Sequence, residues 1–189
     1  MSRPPLYGVG HNGGPALDGG VGYRRFLWKK ARKGLMGETL PIEVIRRRVR
    51  RAEELGLPYK SYASIRACTG RDVIGFLFSS NALRLIRQGD QMPVAYADKL
   101  AQVKATRLVA AHHPLVPELI ETMEGIDKAA AAPAPYAPWS TQRARLSALL
   151  GPKLPRAGMV LIADAPFEAD WLMAGKLGGQ IEAPVFFGD

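Results

Sequence analysis

The chain has 189 residues, of which 47% are hydrophobic and 23% charged, ordinary values for a globular protein built as one medium domain or one small domain with appendages. Its single cysteine, Cys68, excludes an intramolecular disulfide framework, and no apolar run is long enough to predict a transmembrane helix. Lysine and arginine together number 26 against 17 aspartate and glutamate residues, which gives a formal net charge of +9.

These features predict a cytoplasmic protein without a membrane partner. One cysteine fits a reducing compartment, where disulfides are rare. The first residues, Met1-Ser2-Arg3-Pro4-Pro5, lack the apolar region of a secretory signal.

The excess of positive charge lies in the first part of the sequence. Residues 1–71 contain 15 basic and 5 acidic residues, a net charge of +10, whereas residues 72–189 contain 11 basic and 12 acidic ones, a net charge of −1. Such asymmetry predicts that the first part contacts something anionic, such as nucleic acid, an acidic protein or a membrane surface. The sequence therefore predicts a basic helical region over 21–71, followed by a small α/β body over 72–189.

Residues 1–20 are rich in glycine and proline, which predicts a disordered tail. The segment Gly8-Val9-Gly10-His11-Asn12-Gly13 matches the letters of the G-x-G-x-x-G dinucleotide motif. That motif works between a buried strand and a helix N-terminus. Because fewer than eight residues precede Gly8 in this sequence, two of them prolines, the expected strand is missing and nucleotide binding by this segment is not predicted.

Three helices are predicted in the basic region. The first covers 21–36, and the third runs from Pro58 to Thr69 and ends at Gly70. The second runs from Thr39 to Leu57, because its apolar residues recur at spacings of three and four: Ile42, Ile45, Val49, Ala52 and Leu55.

The basic side chains of these helices are candidates for contacts with phosphate groups. In the helix over 21–36 they are interleaved with aromatic residues, which can stack on bases while the cations neutralise phosphates. A run of this kind is also typical of a solvated helix face, so both interpretations stay open. The candidate nucleic-acid-binding residues are Arg24, Arg25, Lys29, Lys30, Arg46, Arg47, Arg48, Arg50, Arg51 and Lys60.

The sequence of the body, residues 72–189, predicts a parallel sheet. Three apolar runs, over 73–78, 106–111 and 159–163, each lead into polar turn residues and then a helical pattern. This order is typical of βα units. The helices that follow are predicted over 82–87, 116–123 and 167–177, although the second run could instead continue a helix begun at Ala95.

Two further segments complete the prediction for the body. Residues 129–138 are a low-complexity Pro/Ala segment, which predicts an extended, exposed loop. Val185-Phe186-Phe187 predicts a small closing strand.

Residues that could carry chemistry follow each predicted strand. In open parallel sheets ligands bind beyond the carboxyl ends of the strands, so these residues should share one edge. A hydroxyl, an imidazole and a carboxylate there could act as nucleophile, base and orienting acid. The candidate catalytic residues are Ser79, His112, His113 and Asp164, with Ser80 as an alternative nucleophile. The same residue types also close turns and cap helices for local reasons.

No metal or cofactor is predicted. The sequence contains no C-x-x-C, no H-E-x-x-H, no EF-hand spacing and no phosphate-binding loop. Adjacent histidines on a strand would face opposite sides, so His112 and His113 could not hold one ion together there.

Three hypotheses for the function follow in order of preference. The first is a nucleic-acid-binding protein, for DNA or RNA, that contacts the phosphate backbone through its basic helices. The second is a small α/β enzyme that acts on a phosphorylated or nucleic-acid substrate. The third is an interaction subunit that docks on an acidic partner protein.

Overall fold

The structure, a computed structural model, describes residues 40–188. The predicted tail over 1–20 and the predicted helix over 21–36 lie outside these residues, and the division of the chain at residue 71 stays a prediction. Residues 46–188 belong to one compact unit, which contains a five-stranded parallel sheet and its helices. The α/β prediction is therefore confirmed for the described body.

Within residues 40–188 two helices come first, at the positions that the sequence predicts for its second and third helices. They are α1, Ile42–Glu54, and α2, Tyr59–Thr69. Glu43 lies in the first turn of α1, where the helix dipole favours an anion. Gly70 ends α2 with a φ of 67°, and its N–H donates to the carbonyl of Arg66.

The sheet has the strand order β3-β2-β1-β4-β5, with every neighbouring pair parallel. All residues of β1 and β4 are buried, which explains why these strands appear in the sequence as continuous apolar runs. The three predicted strand runs are β1, β2 and β4. The strands are β1, Gly75–Ser79; β2, Thr106–Ala111; β3, Lys128–Ala131; β4, Met159–Ala163; and β5, Gly179–Glu182.

The remaining helices connect the strands or follow the last one. They are α3, Val94–Gln102; α4, Pro117–Glu121; α5, Trp139–Leu150; α6, Asp170–Gly175; and α7, Ala183–Phe187. Two 3₁₀ turns, Arg156–Gly158 and Pro166–Ala169, flank β4. No helix among residues 40–188 is long and apolar enough to cross a membrane.

Side chains of successive strand residues enter two different cores, as the pleat of a strand requires. The first core joins α1 and α2 to one face of the sheet through Ala52, Leu55, Tyr62, Phe76, Phe78, Val160 and Ile162. The second joins α5 and α6 to the other face through Leu77, Leu161, Leu146, Leu149 and Trp171. Burial of one such large apolar side chain contributes roughly 1.5–3 kcal/mol.

The helix predicted over 82–87 is wrong, because the chain makes consecutive turns there instead. Leu83 and Leu85 are both buried, a spacing of two that an α-helix cannot bury on one face. Arg84 between them has a φ of 61°, a left-handed conformation outside any helix.

The closing strand predicted at 185–187 is also wrong. These residues belong to α7, whose first turn contains Pro184, and the closing strand is the preceding β5. Ala183 and Phe186 are buried and lie three residues apart, so a helix turns both toward the core. Proline fits a first helical turn because it lacks an N–H that would have no helical partner.

Two other segments differ in extent from their predictions. The predicted exposed loop over 129–138 begins inside β3, with Ala129, Ala132 and Pro133 buried. Its backbone pairs with β2, so the low-complexity composition does not prevent strand formation. The helix predicted over 167–177 is divided into the 3₁₀ turn and α6, which ends where Lys176 adopts a φ of 55°.

The topology places the loops that follow β1, β2 and β4 at one edge of the sheet. Because all strands are parallel, their carboxyl ends share that edge. Chain order reverses beside β1, with β2 on one side and β4 on the other. In sheets of this kind the crevice at such a reversal is the usual ligand position.

Candidate functional site

The buried carboxylate of Glu168 lies at the centre of this edge. The residue is 0% exposed and follows β4 in the 3₁₀ turn. Its Oε1 atom accepts hydrogen bonds from Asn81 Nδ2 and His112 Nε2, each at 2.8 Å. Its Oε2 atom accepts from the backbone N–H groups of Asp164, at 3.0 Å, and Ala165, at 3.1 Å.

The donors come from three loops because each strand ends at the same level of the sheet. Asn81 follows β1, His112 follows β2, and the two backbone donors follow β4. The Ser80 hydroxyl accepts a hydrogen bond from the backbone N–H of His112 at 3.1 Å and so ties the first two loops together. Ser79 Oγ accepts from the N–H of Ala82 at 3.1 Å within the first loop.

These hydrogen bonds decide the charge of Glu168. Burial by itself raises the pKa of this carboxyl, because it disfavours the ionised form. Hydrogen bonds from His112, the Asp164 N–H, the Ser79 hydroxyl and the Ala165 N–H outweigh burial and hold the pKa below its ordinary value. Glu168 is therefore a buried carboxylate anion at neutral pH.

The imidazole of His112 is held in one orientation. Its ring centroid lies 5.4 Å from that of Phe167, edge to face, and 5.2 Å from that of Trp171. A carboxylate can only accept hydrogen bonds, so the 2.8 Å contact with Glu168 places a proton on Nε2. In the neutral ring the lone pair is consequently on Nδ1, the nitrogen that can accept a proton.

A cleft of about 470 Å³ lies beside this imidazole. Most of its wall is apolar, and its polar side chains are Asn81, His112, His113 and Arg145. No aspartate or glutamate lines it within the part of the chain that the structure describes. The full lining is Asn81, Ala111, His112, His113, Leu115, Ala131, Ala132, Pro133, Ala134, Pro135, Arg145 and Phe167.

Two of the four predicted catalytic residues line the cleft, and the other two do not. His112 and His113 both line the cleft, and the peptide bond from His113 to Pro114 is cis. Ser79 is fully buried, and its hydroxyl accepts from the N–H of Ala82 and also hydrogen-bonds to the Glu168 carboxylate, outside the cleft lining. Asp164 pairs through its carboxylate with Arg84 at 3.0 Å, so the acid that contacts a histidine is Glu168.

Glu168 is the residue that sequence reasoning missed. It lies four positions beyond Asp164, in a segment whose pattern predicts a helix. The available signal was a second carboxylate just past the end of β4, at the same edge as the histidines. The sequence does not say which of two nearby carboxylates turns inward.

The arginines of α1 also have different positions. Arg51 is bonded within the body, to Glu54 at 3.1 Å, to Asp72 at 3.4 Å and to the carbonyl of Val73 at 3.1 Å. Arg48 lies four residues before the buried Ala52, so it falls on the apolar side of the helix, where its Nε atom is buried.

Other predicted phosphate contacts are exposed or lie outside the described residues. Arg46, Arg47, Arg50 and Lys60 are all exposed. No contact between the Arg47 or Arg50 guanidinium and a carboxylate is found among residues 40–188. The remaining four, which lie outside the described residues, are Arg24, Arg25, Lys29 and Lys30.

Comparison of the chain with protein-family models, with curated proteins and with solved structures finds no match. No group of three or more histidine, cysteine, aspartate or glutamate residues that could hold a metal ion occurs among residues 40–188. The cleft's own side chains offer proton transfer by an imidazole and positive charge from a guanidinium, and the buried Glu168 carboxylate lies behind the imidazole.

Proposed function

We propose that this protein binds a small molecule in the cleft beside His112 and carries out proton transfer on it. His112 is the general acid or base, through Nδ1, and Glu168 is its positioning residue. One observation carries this proposal: an imidazole at the wall of a cleft is hydrogen-bonded at 2.8 Å to a fully buried carboxylate.

An oriented imidazole beside a buried carboxylate is suited to proton transfer. The carboxylate fixes the tautomer, so Nδ1 can take a proton from water or a hydroxyl group. The positive charge that then forms on the ring is stabilised by the adjacent anion. When Nδ1 gives the proton to a leaving group, the pair returns to its starting state.

A purely structural role explains less of this arrangement. The hydrogen bonds of Glu168 do join three loops, and neutral side chains could join them as well. Burying a charge is costly even when it is paired, and apolar or neutral replacements of buried ion pairs are often as stable. A charge is useful here because the neighbouring imidazole becomes cationic during proton transfer.

We expect His112→Asn to lower turnover by about a hundredfold, a moderate value for loss of general acid–base catalysis. The assay is hydrolysis of a panel of p-nitrophenyl carboxylates, phosphates and glycosides by the full chain. His113→Asn is the matched control, because His113 lines the same cleft and has no hydrogen bond to Glu168. Equal turnover by wild type and His112→Asn would contradict the proposal.

The positioning role of Glu168 can be tested separately, through the tautomer of the His112 ring. The ¹⁵N chemical shifts of the His112 ring distinguish a proton on Nε2 from one on Nδ1. We expect the Nε2–H form in the wild type and a mixture of tautomers in Glu168→Gln, because an amide can donate as well as accept. Identical ring spectra in the two folded proteins would argue for a structural role alone.

Nucleic-acid binding is a second candidate function, favoured by the outer face of α1. Arg47 and Arg50 are exposed and lie three positions apart, so they are neighbours on that face. Cations in this arrangement can neutralise adjacent phosphates without reading the bases. Arg51 is not part of this candidate surface, since its guanidinium holds α1 to the backbone at Val73.

We expect Arg47→Ala/Arg50→Ala to weaken binding equally on unrelated DNA or RNA sequences. The slope of log affinity against log salt should flatten by about two, roughly one per lost phosphate contact. The control is Arg143→Ala/Lys153→Ala, which removes the same charge from exposed positions on and just beyond α5. If both double variants bind like the wild type at every salt concentration, the nucleic-acid hypothesis is wrong, and an acidic protein partner becomes the better candidate for this face.

A further inference from the structure

We infer that the ligand of the cleft combines an anionic group with an aromatic ring. The anion, a phosphate or carboxylate, binds Arg145, and the ring packs against Phe167 and Tyr136. This inference rests on the proposed function, because it names the class of molecule on which His112 acts.

The charge of the cleft favours an anion. Arg145 lines the cleft, and its one hydrogen bond among the described residues is a long one, 3.4 Å, to the carbonyl of Ala132. No carboxylate lies within salt-bridge distance of its guanidinium in residues 40–188. The planar guanidinium can bind two oxygens of a phosphate or carboxylate side by side. Glu168 does not line the cleft, and its two oxygens face the donors of the three loops.

The aromatic side chains favour a ring. Phe167 lines the cleft and contacts the His112 ring. Tyr136 is 90% exposed, and its ring centroid lies 6.4 Å from that of Phe167. Its φ of 59° is rare for a bulky residue, and such strained conformations concentrate at ligand clamps.

The volume of the cleft and the rest of its wall also fit a ligand with an anionic group and an aromatic ring. A cleft of about 470 Å³ is in the lower half of the range for small-ligand sites. Ala131, Ala132, Pro133, Ala134 and Pro135 form an apolar wall from β3 and the loop after it. These short or rigid side chains leave room for a flat molecule and offer no hydrogen-bonding groups of their own. A ring can therefore enter without leaving polar side chains unpaired.

The probe for this inference is phenyl phosphate, titrated into the full chain and followed by calorimetry and amide chemical shifts. Inorganic phosphate tests the anion alone, and cyclohexyl phosphate has the same charge and a similar size without an aromatic face. We expect phenyl phosphate to bind about tenfold more tightly than inorganic phosphate and several-fold more tightly than cyclohexyl phosphate. The shifted amides should include those of Ala134 and Phe167.

Two pairs of variants test whether Arg145 binds the anionic group and Tyr136 contacts the ring. Arg145→Ala should weaken phenyl phosphate binding at least about tenfold, whereas Arg143→Ala, two positions earlier on α5, should leave it unchanged. Tyr136→Ala should weaken it several-fold, and Tyr136→Phe should preserve it because the ring remains. Absence of binding at millimolar phenyl phosphate, equal affinity for all three probes, or wild-type affinity in Arg145→Ala would overturn the inference.

Failure of this inference can be told apart from failure of the proposed function. Binding of phenyl phosphate requires no turnover, so it is measured equally well in His112→Asn. If no probe binds while His112→Asn still loses turnover of another substrate, only the ligand class is wrong. If the probes bind as expected while His112→Asn turns over substrates like the wild type, the acid–base role is wrong and the ligand class stands.

Discussion

Replacing Glu168 with alanine is expected to destabilise the protein by about 3–5 kcal/mol, the cost typical of removing one partner from a buried, charged hydrogen-bond network. Five donors lose their acceptor together: the side chains of Ser79, Asn81 and His112 and the N–H groups of Asp164 and Ala165. Each buried donor left unpaired costs about 1–3 kcal/mol before the loops relax. Urea denaturation of the wild type and the variant measures the difference.

The control is Glu124→Ala, which removes an exposed carboxylate and should change stability by less than about 0.5 kcal/mol. The two glutamates differ in burial and not in residue type. A Glu168→Ala variant as stable as Glu124→Ala would contradict the expected role of the network.

The stability difference between the wild type and Glu168→Ala is also expected to depend on pH. The pKa of Glu168 is lower in the folded protein than its ordinary value, so its ionisation stabilises the fold above the unfolded pKa of about 4.3. That contribution is lost as the pH falls through the folded pKa. The stability difference between wild type and Glu168→Ala should therefore shrink on acidification below about pH 4. A difference that is constant across this interval would argue that the carboxylate charge does not contribute.

Gly178→Ala is expected to destabilise the fold by about 3 kcal/mol, at the upper end of ordinary overpacking costs. A Cβ atom at this position would lie 2.1 Å from the backbone carbonyl oxygen of Ala157. Neither partner can move cheaply, because the N–H of Gly178 donates to the carbonyl of Met159 at 2.8 Å and so fixes the start of β5 against β4. Thermal and urea denaturation measure the loss.

The neighbouring Gly179→Ala is the matched control. Its Cβ atom would meet the side chain of Ile65 at 3.0 Å, and a side chain can shift where a backbone carbonyl cannot. We expect a cost of about 1 kcal/mol for this variant. Equal costs for the two substitutions would mean that the close approach at Gly178 is relieved by backbone movement.

The central strands could be predicted from the sequence, whereas the edge strands could not. β1 and β4 are buried along their whole length, so each appears as an uninterrupted apolar run between turn residues. β3 and β5 have the sequences KAAA and GQIE, which lack β-branched runs and have partly exposed residues. Their backbones pair with strands already formed, and that tertiary context outweighs local propensity.

The sequence could predict where in the fold the candidate site lies, but not which side chains contact one another there. Parallel strands bring His112, Asn81 and the end of β4 to one edge by topology alone. Whether Asp164 or Glu168 contacts the imidazole depends on the path of a 3₁₀ turn, which sequence spacing does not fix. The sequence likewise does not show which arginines of α1 are exposed. In the structure Arg48 and Arg51 turn toward the body, whereas Arg47 and Arg50 face solvent.

The sequence separation within the Glu168 network has a consequence for how the chain folds. Asn81 and Glu168 are 87 residues apart and His112 and Glu168 are 56 apart, so these contacts close long loops of chain. Loop closure of this kind must precede the interactions that reward it, which makes such contacts late events on a folding pathway. Until β1, β2 and β4 have paired, Glu168 stays hydrated and His112 has no fixed tautomer. If His112 acts as proposed, we therefore expect activity only in chains that have completed the sheet, although a nascent or partly unfolded chain already contains every residue of the candidate site.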